Sequence, residues 1–137
     1  MPSDAGLKTA SWATLDAVLT VAGGASGNSD SGDIGANTAA QFTDVSIQTS
    51  VTQSGSTDTA DVSAKIQWSD DDTNWPDDDQ GDVIFTWVAG SAGADLTRSQ
   101  PVTVPVGARY FRLRATNNNG TDSVDFGFEW AGLIYQS

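Results

Sequence analysis

The sequence predicts an all-β fold, an antiparallel β-sandwich of jelly-roll type with seven to eight strands, and three observations carry that reading. Apolar residues recur at every second position in several separate segments, the period of a strand with one buried face. Clusters rich in Gly and Asn, of the size of turns, lie between those segments. The acids are seventeen Asp and a single Glu, Glu129, and Asp favours turns and caps where Glu favours helix interiors. No window of eleven residues or more follows the helical period.

A chain of 137 residues suffices for one domain with its own core. Residues 14–137 are assigned to a single sandwich domain and residues 1–13 to an N-terminal arm. Trp12 sits just outside the first strand, placed either to close an end of the sandwich or to anchor on a neighbouring subunit. That first strand is Thr14 to Val21, with Leu15, Ala17, Leu19 and Val21 on one face and Val18 interrupting the polar face. Residues 22–41, AGGASGNSDSGDIGANTAAQ, hold one strongly apolar residue, Ile34. They read as a long Gly/Ser-rich surface loop or excursion, with an arm that orders on a partner as the alternative.

The next segments alternate more cleanly. From Asp44 to Thr52, Val45, Ile47 and Val51 oppose Asp44, Ser46, Gln48, Ser50 and Thr52; from Asp61 to Trp68, Val62, Ala64, Ile66 and Trp68 oppose Asp61, Ser63, Lys65 and Gln67. Val83, Phe85 and Trp87 make a further strand. Val102 and Val104, between Pro101 and Pro105, form a short strand assigned to a sheet edge because Pro cannot donate to a ladder. From Ala108 to Asn117, Phe111, Leu113 and Ala115 alternate with Tyr110, Arg112 and Arg114. The last strand, Ser123 to Tyr135, sets Val124, Phe126, Phe128 and Trp130 against Asp125, Gly127 and Glu129. The turns SGSTD, VGA and NNNGTD have the length of hairpin loops, with Gly or Asn supplying positive φ. Two sheets burying their apolar faces against each other make a sandwich; a small closed barrel is the alternative.

Composition removes several functions. A net charge of −12 repels phosphate, so no nucleic-acid partner is expected. There is no Cys and no His, which removes disulfides, thiolate chemistry and the usual general base near neutral pH. The N-terminus lacks a basic region followed by an apolar run, and no segment approaches the ~20 apolar residues that cross a bilayer. The expectation is a soluble chain made in the cytoplasm, with no membrane partner and no cofactor.

The stretch SDDDTNWPDDDQGD, Ser69 to Asp82, carries seven carboxylates and a tryptophan. Asp70, Asp72 and Asn74 begin the alternation of a calcium loop, but Trp75 and Pro76 stand where a glycine bend is needed and the closing Glu is missing. No metal site is therefore expected, with Asp70, Asp72 and Asp77 to Asp79 as the ligands of a divergent alternative. A glycosidase would need two carboxylates set across a sugar, and nothing around these acids raises a pKa. Glu129 reads as a solvated residue on a polar face. Nucleophile elbows and phosphate-cradling glycine loops are absent, so no enzyme is expected. Trp75 is the candidate ligand-binding residue of the loop. Four of the six bases are Arg98, Arg109, Arg112 and Arg114. Arg112 and Arg114 share a face with Tyr110 and either pair internally with the Asp-rich loops or offer an arginine and tyrosine patch to a partner.

The order of these words resembles a family. A Gly/Ser-rich lead-in ending GDIG, then DVSIQTSVTQSG, ADVSAKIQWSDDDTNW and PVGARYFRLRATNNNGTDSVDFGFEW, is similar to the small β-sandwich virion proteins of tailed bacteriophages, over approximately Ala22 to Trp130. Asp71 and Asp72 stand where that pattern commonly carries a glycine. Discoidin-like carbohydrate-binding β-sandwiches share part of the pattern. The resemblance implies a capsid decoration or cement protein on the outer surface of a phage head, with the major capsid protein and its own copies, as a homotrimer, for partners. Trp12, Tyr110, Arg112 and Arg114 are the expected contacts. A tail, neck or fibre accessory protein is one alternative; a carbohydrate-binding module that takes a glycan at Trp75 is the other.

Overall fold

The computed structural model describes residues 6–9, 12–36, 42–53, 61–88, 96, 98–120 and 122–136. Ten strand segments follow in order: β1 Gly6–Thr9, β2 Ala13–Val21, β3 Ser26–Asn28, β4 Gly32–Asp33, β5 Asp44–Gln53, β6 Asp61–Ser69, β7 Asp82–Val88, β8 Val102–Pro105, β9 Tyr110–Asn117 and β10 Val124–Gln136. The only helical element among the described residues is one 3-10 turn, Ile34–Ala36. All pairings are antiparallel. Sheet A has the order β1-β10-β5-β8, with β2 also on β10; sheet B has β3-β9-β6-β7, with β4 also on β9.

β1 and β2 lie end to end along one edge of β10, and β3 and β4 do the same along β9. Ten segments therefore occupy eight positions, four in each sheet. The chain changes sheet at nearly every connection, as in a jelly roll. The short turns before β9 and β10 are accordingly crossings between sheets, not the hairpins that their length suggests; SGSTD, between β5 and β6, lies outside the described residues, although the strands on either side of it belong to different sheets. Among the described strands, the connection that stays within a sheet and joins neighbouring lanes is the acidic loop from β6 to β7. Turn length follows from local sequence; which sheet the next strand joins is decided by where its apolar face finds cover.

The region 22–41 does not leave the sandwich over its described part. Ser26–Asn28 pairs with Thr116–Arg114, and Gly32–Asp33 with Phe111–Tyr110, so this polar stretch edges sheet B. Gly32 permits it, because a Cβ there would stand 2.4 Å from the Phe111 ring. Within the expected arm, residues 6–9 are a strand on β10.

The core lies between the sheets. Val45, Ile47 and Val51 of β5, Val124, Phe126 and Phe128 of β10, Val62, Ala64 and Ile66 of β6, and Phe111, Leu113 and Ala115 of β9 are all buried. Each fully buried side chain of Val to Phe size contributes about 1.5–3 kcal/mol. Phe111 joins the sheets, meeting Trp68 at 5.7 Å and Trp130 edge-on at 5.2 Å between ring centroids. Two strands depart from simple alternation. β2 is irregular against β10 on either side of Phe128, which leaves Ala17 exposed. In β7 a bulge opposite Ala64 and Lys65 buries Ile84 and turns Val83 out.

Candidate functional site: the two outer faces of the sandwich

On the outer face of sheet B the register sets Tyr110 beside Ser69, Arg112 beside Gln67 and Arg114 beside Lys65. Their neighbours Phe111, Leu113 and Ala115 point into the core, so strand alternation drives these six side chains outward. The loop 70–81 folds back across them. Gln67 is only 1 % exposed although it faces outward, and its amide donates to the carbonyls of Asp77 at 3.1 Å and Gln80 at 2.8 Å. Its own oxygen accepts from Arg112 Nε at 2.9 Å. Lys65 donates to the Asp78 carbonyl and Arg114 pairs with the Asp78 carboxylate at 3.0 Å. Arg114 also donates to Asn28 Oδ1.

Trp75 is half-buried, with the Arg112 guanidinium 4.5 Å from its ring centroid, a cation–π contact. Burial lowers the pKa of Arg112, the charge of Arg114 adds to the effect, and Asp78 opposes it. The two arginines are thus turned onto the chain's own acidic loop, the internal one of the two arrangements open to YFRLR, and Tyr110 instead takes Arg109 over its ring at 5.0 Å. Arg109 in turn holds Asp33 through Nε at 3.0 Å and Nη2 at 3.2 Å.

The first half of the loop is closed by Ser69 and Asp71. Ser69 Oγ donates to the Asn74 carbonyl at 2.6 Å and accepts from the Asp72 amide at 3.1 Å. Asp71 Oδ1 accepts from the amides of Thr73 and Asn74, and Oδ2 from the Asn74 side chain at 2.6 Å. These bonds, the Asn74 amide first, hold the Asp71 carboxyl well below its ordinary value of 3.8. Asp72 takes φ 59°, so an Asp accepts the left-handed backbone that a glycine commonly supplies in this turn. Asp71 is thereby occupied as a turn brace. The structure does not gather Asp70, Asp72 and Asp77 as ligands: among the described residues no three carboxylates come together as a metal-binding group. The loop returns to β7 through Gly81, whose φ of 128° and 2.6 Å approach of a would-be Cβ to the Ile66 carbonyl require glycine.

Sheet A presents a different outer face. A groove of about 310 Å³ runs over Thr14, Asp16, Ala17, Gln48, Ser50, Gly127 and Glu129, where β2 is irregular. Glu129 is not simply solvated: Arg98 pairs with it at 2.5 Å and also donates to Gln48. Arg98 reaches this face because Ser99 N donates to the Thr49 carbonyl and Leu96 bridges to Val51, which sets Leu96 and Ser99 alongside β5. The periodicity of the sequence does not reveal this pair, since its partners are 31 residues apart on segments that only the tertiary fold aligns.

Trp12 is 40 % exposed and stands before β2, in sheet A. Tyr110, Arg112 and Arg114 are in sheet B, so the four expected contact residues do not form one strand or one face. The bases whose side chains are described, Lys65, Arg98, Arg109, Arg112 and Arg114, are all engaged within the chain. What the protein turns outward is carboxylate, with exposed Val18, Val83 and Val88 besides Trp12.

No protein-family model matches the chain, and no curated protein matches it. Among solved structures it is similar to a chain of "Structure of infectious bursal disease virus Gx strain", at 16 % identity and a TM-score of 0.53. The similarity covers 96 % of this chain and 32 % of that one, so the protein spans about a third of the length of its structural neighbour. The two share a fold: a β-rich sandwich that also occurs in a virus structure.

Proposed function

We infer that the protein is a structural component of a virion, a decoration or cement protein seated on the outer surface of a phage head. The observation that carries this reading is the jelly-roll sandwich itself, matched over 96 % of the chain by a chain of a virus structure. The sequence words GDIG, SDDDTNW and GARYFRLR add the likeness to small virion proteins of tailed phages. On both outer faces the described bases are paired with acids or hold a loop, and what is left outward is carboxylate, an arrangement suited to a passive surface. In this role the major capsid protein is the partner, and the copies associate as a homotrimer. Trp12 and Tyr110, with the Arg112 and Arg114 ladder that positions the acidic loop, supply the contacts. Many modest contacts repeated over a lattice add up through multivalency.

The test is to add purified protein to undecorated heads of the phage that encodes it and image them by electron cryomicroscopy. Density at regular positions on the outer lattice is the expected result. Binding confined to the neck or tail would move the protein to the accessory class there, and no ordered density on the particle would overturn the reading.

A further inference from the structure

The sandwich has four outer edges, and three of them are guarded. The β1 and β2 edge is broken by two register shifts. β3 and β4 are only three and two residues long. β8 has four residues, is preceded by Pro101 and ends on Pro105. Shortness, proline and bulges are the devices by which native sheets refuse further strands.

β7 has fewer of them. It is seven residues long and contains no proline, and after the bulge near its start Phe85–Val88 run in unbroken register with Ala64–Asp61. Among the described residues its far edge pairs with nothing. Phe85 is buried and Trp87 half-buried, while Thr86 is exposed and Val83 and Val88 are each 62 % exposed. The edge therefore offers a stiff backbone ladder with β-branched side chains standing beside it. The strand's own charge is acidic, Asp82 at its start, and Asp61 stands opposite its last residue, while Lys65, opposite Val83, is drawn away to the Asp78 carbonyl. With a net charge of −12 and its described bases already engaged, a second copy meets this edge acid to acid.

We propose that β7 is a docking edge that receives an extended, basic segment of a partner protein as an added antiparallel strand. The added backbone completes the ladder, apolar residues at alternate positions cover Val83 and Val88, and Lys or Arg at the rim meet Asp61 and Asp82. Strand addition of this kind takes affinity from the main chain and specificity from alternate side chains. The proposal deepens the virion reading by adding a main-chain contact to those of Trp12 and Tyr110, and in that respect rests on it.

The experiment uses the full chain and the double variant Val83→Lys, Val88→Lys, whose substitutions fall on exposed positions and place like charge against a basic strand. Occupancy on undecorated heads is measured together with amide hydrogen exchange of residues 82–88, free and bound. The expected result is wild-type occupancy with those amides slowed at least about tenfold on binding, and a variant that folds normally yet loses at least about tenfold in apparent affinity. Equal binding of the variant with unprotected 82–88 amides overturns the docking edge and leaves the virion reading standing. If the wild type does not bind heads, the virion reading fails and the edge is judged with a peptide alternating Val and Lys. Protection of 82–88 by that peptide, and not by its alternately N-methylated form, supports the edge; no protection overturns it. Protection that rises with protein concentration alone would assign β7 to contacts between copies and overturn the basic partner.

Discussion

The outer faces of the two sheets solve the same problem in opposite ways. Sheet B buries its outward polar residues under the chain's own loop, so Gln67 faces away from the core and is still 1 % exposed. Sheet A leaves Gln48, Ser50 and Glu129 partly open around a groove, although Ser46 and Ala131 farther along the same face are buried, and the ion pair of Arg98 with Glu129 keeps 57 % and 43 % of its side chains in solvent. The difference teaches that the acidic loop belongs to the fold of sheet B. A polar group under cover must be hydrogen-bonded or it costs its full desolvation, whereas an exposed pair trades water for a partner with little net gain.

The sharpest break of that comparison is Gln67→Ala. It strips the bonds to Asp77, Gln80 and Arg112 at once and is expected to cost about 3 kcal/mol, read by urea denaturation. Next comes Gly81→Ala, which forces a side chain into φ 128° against the Ile66 carbonyl; about 2 kcal/mol is expected, measured as a lowered Tm. Arg112→Ala removes the cover of Trp75. It should cost about 1 kcal/mol and shift the tryptophan emission to the red, and unchanged emission would mean that Trp75 is held by other contacts.

A fourth test is confined to acid. Because Asp71 is held below its ordinary 3.8 in the folded protein, its contribution is present in full above that value and is lost as pH falls through the folded pKa. Asp71→Asn should therefore flatten the fall in stability below about pH 4, seen by comparing denaturation midpoints of the two proteins from pH 6 down to about pH 2. The smallest effect belongs to sheet A: Arg98→Ala should stay within about 0.5 kcal/mol, and a loss as large as that of Gln67→Ala would erase the distinction between the faces.

Several strands are legible in the residues themselves. Asp44–Gln53 and Asp61–Ser69 differ from the expected bounds by a single residue at one end, because one buried and one open face write a period of two into the chain. The edge position of β8 is legible from Pro101 and Pro105. β3 and β4 are not, because Ser26–Asn28 and Gly32–Asp33 carry small and polar side chains whose place is fixed by backbone pairing to β9. The bulge in β7 escapes for a related reason: a one-residue insertion hides among apolar neighbours, where Val83, Ile84 and Phe85 all look fit for a core.

The candidate site shows the same division. The opposition of Asp-rich loop and arginine strand is visible in SDDDTNWPDDDQGD and YFRLR, and internal pairing is one of its two readings. That Gln67 is the peg beneath the loop is not visible, since a polar residue on a polar face gives no sign that it will be covered.

By itself the sequence determined that this protein is all-β, strongly acidic, without thiol or imidazole chemistry, and built from strands that each hide one face. Tertiary structure alone decided that the strands pass from sheet to sheet, that the acidic loop lies across sheet B, and that among the described residues nothing pairs with the far edge of β7. The reason is the range of the forces involved. Alternation and turn preference act between residues adjacent in the chain, whereas sheet membership, loop docking and free edges depend on which distant surfaces meet, and that is settled only when the whole core is packed.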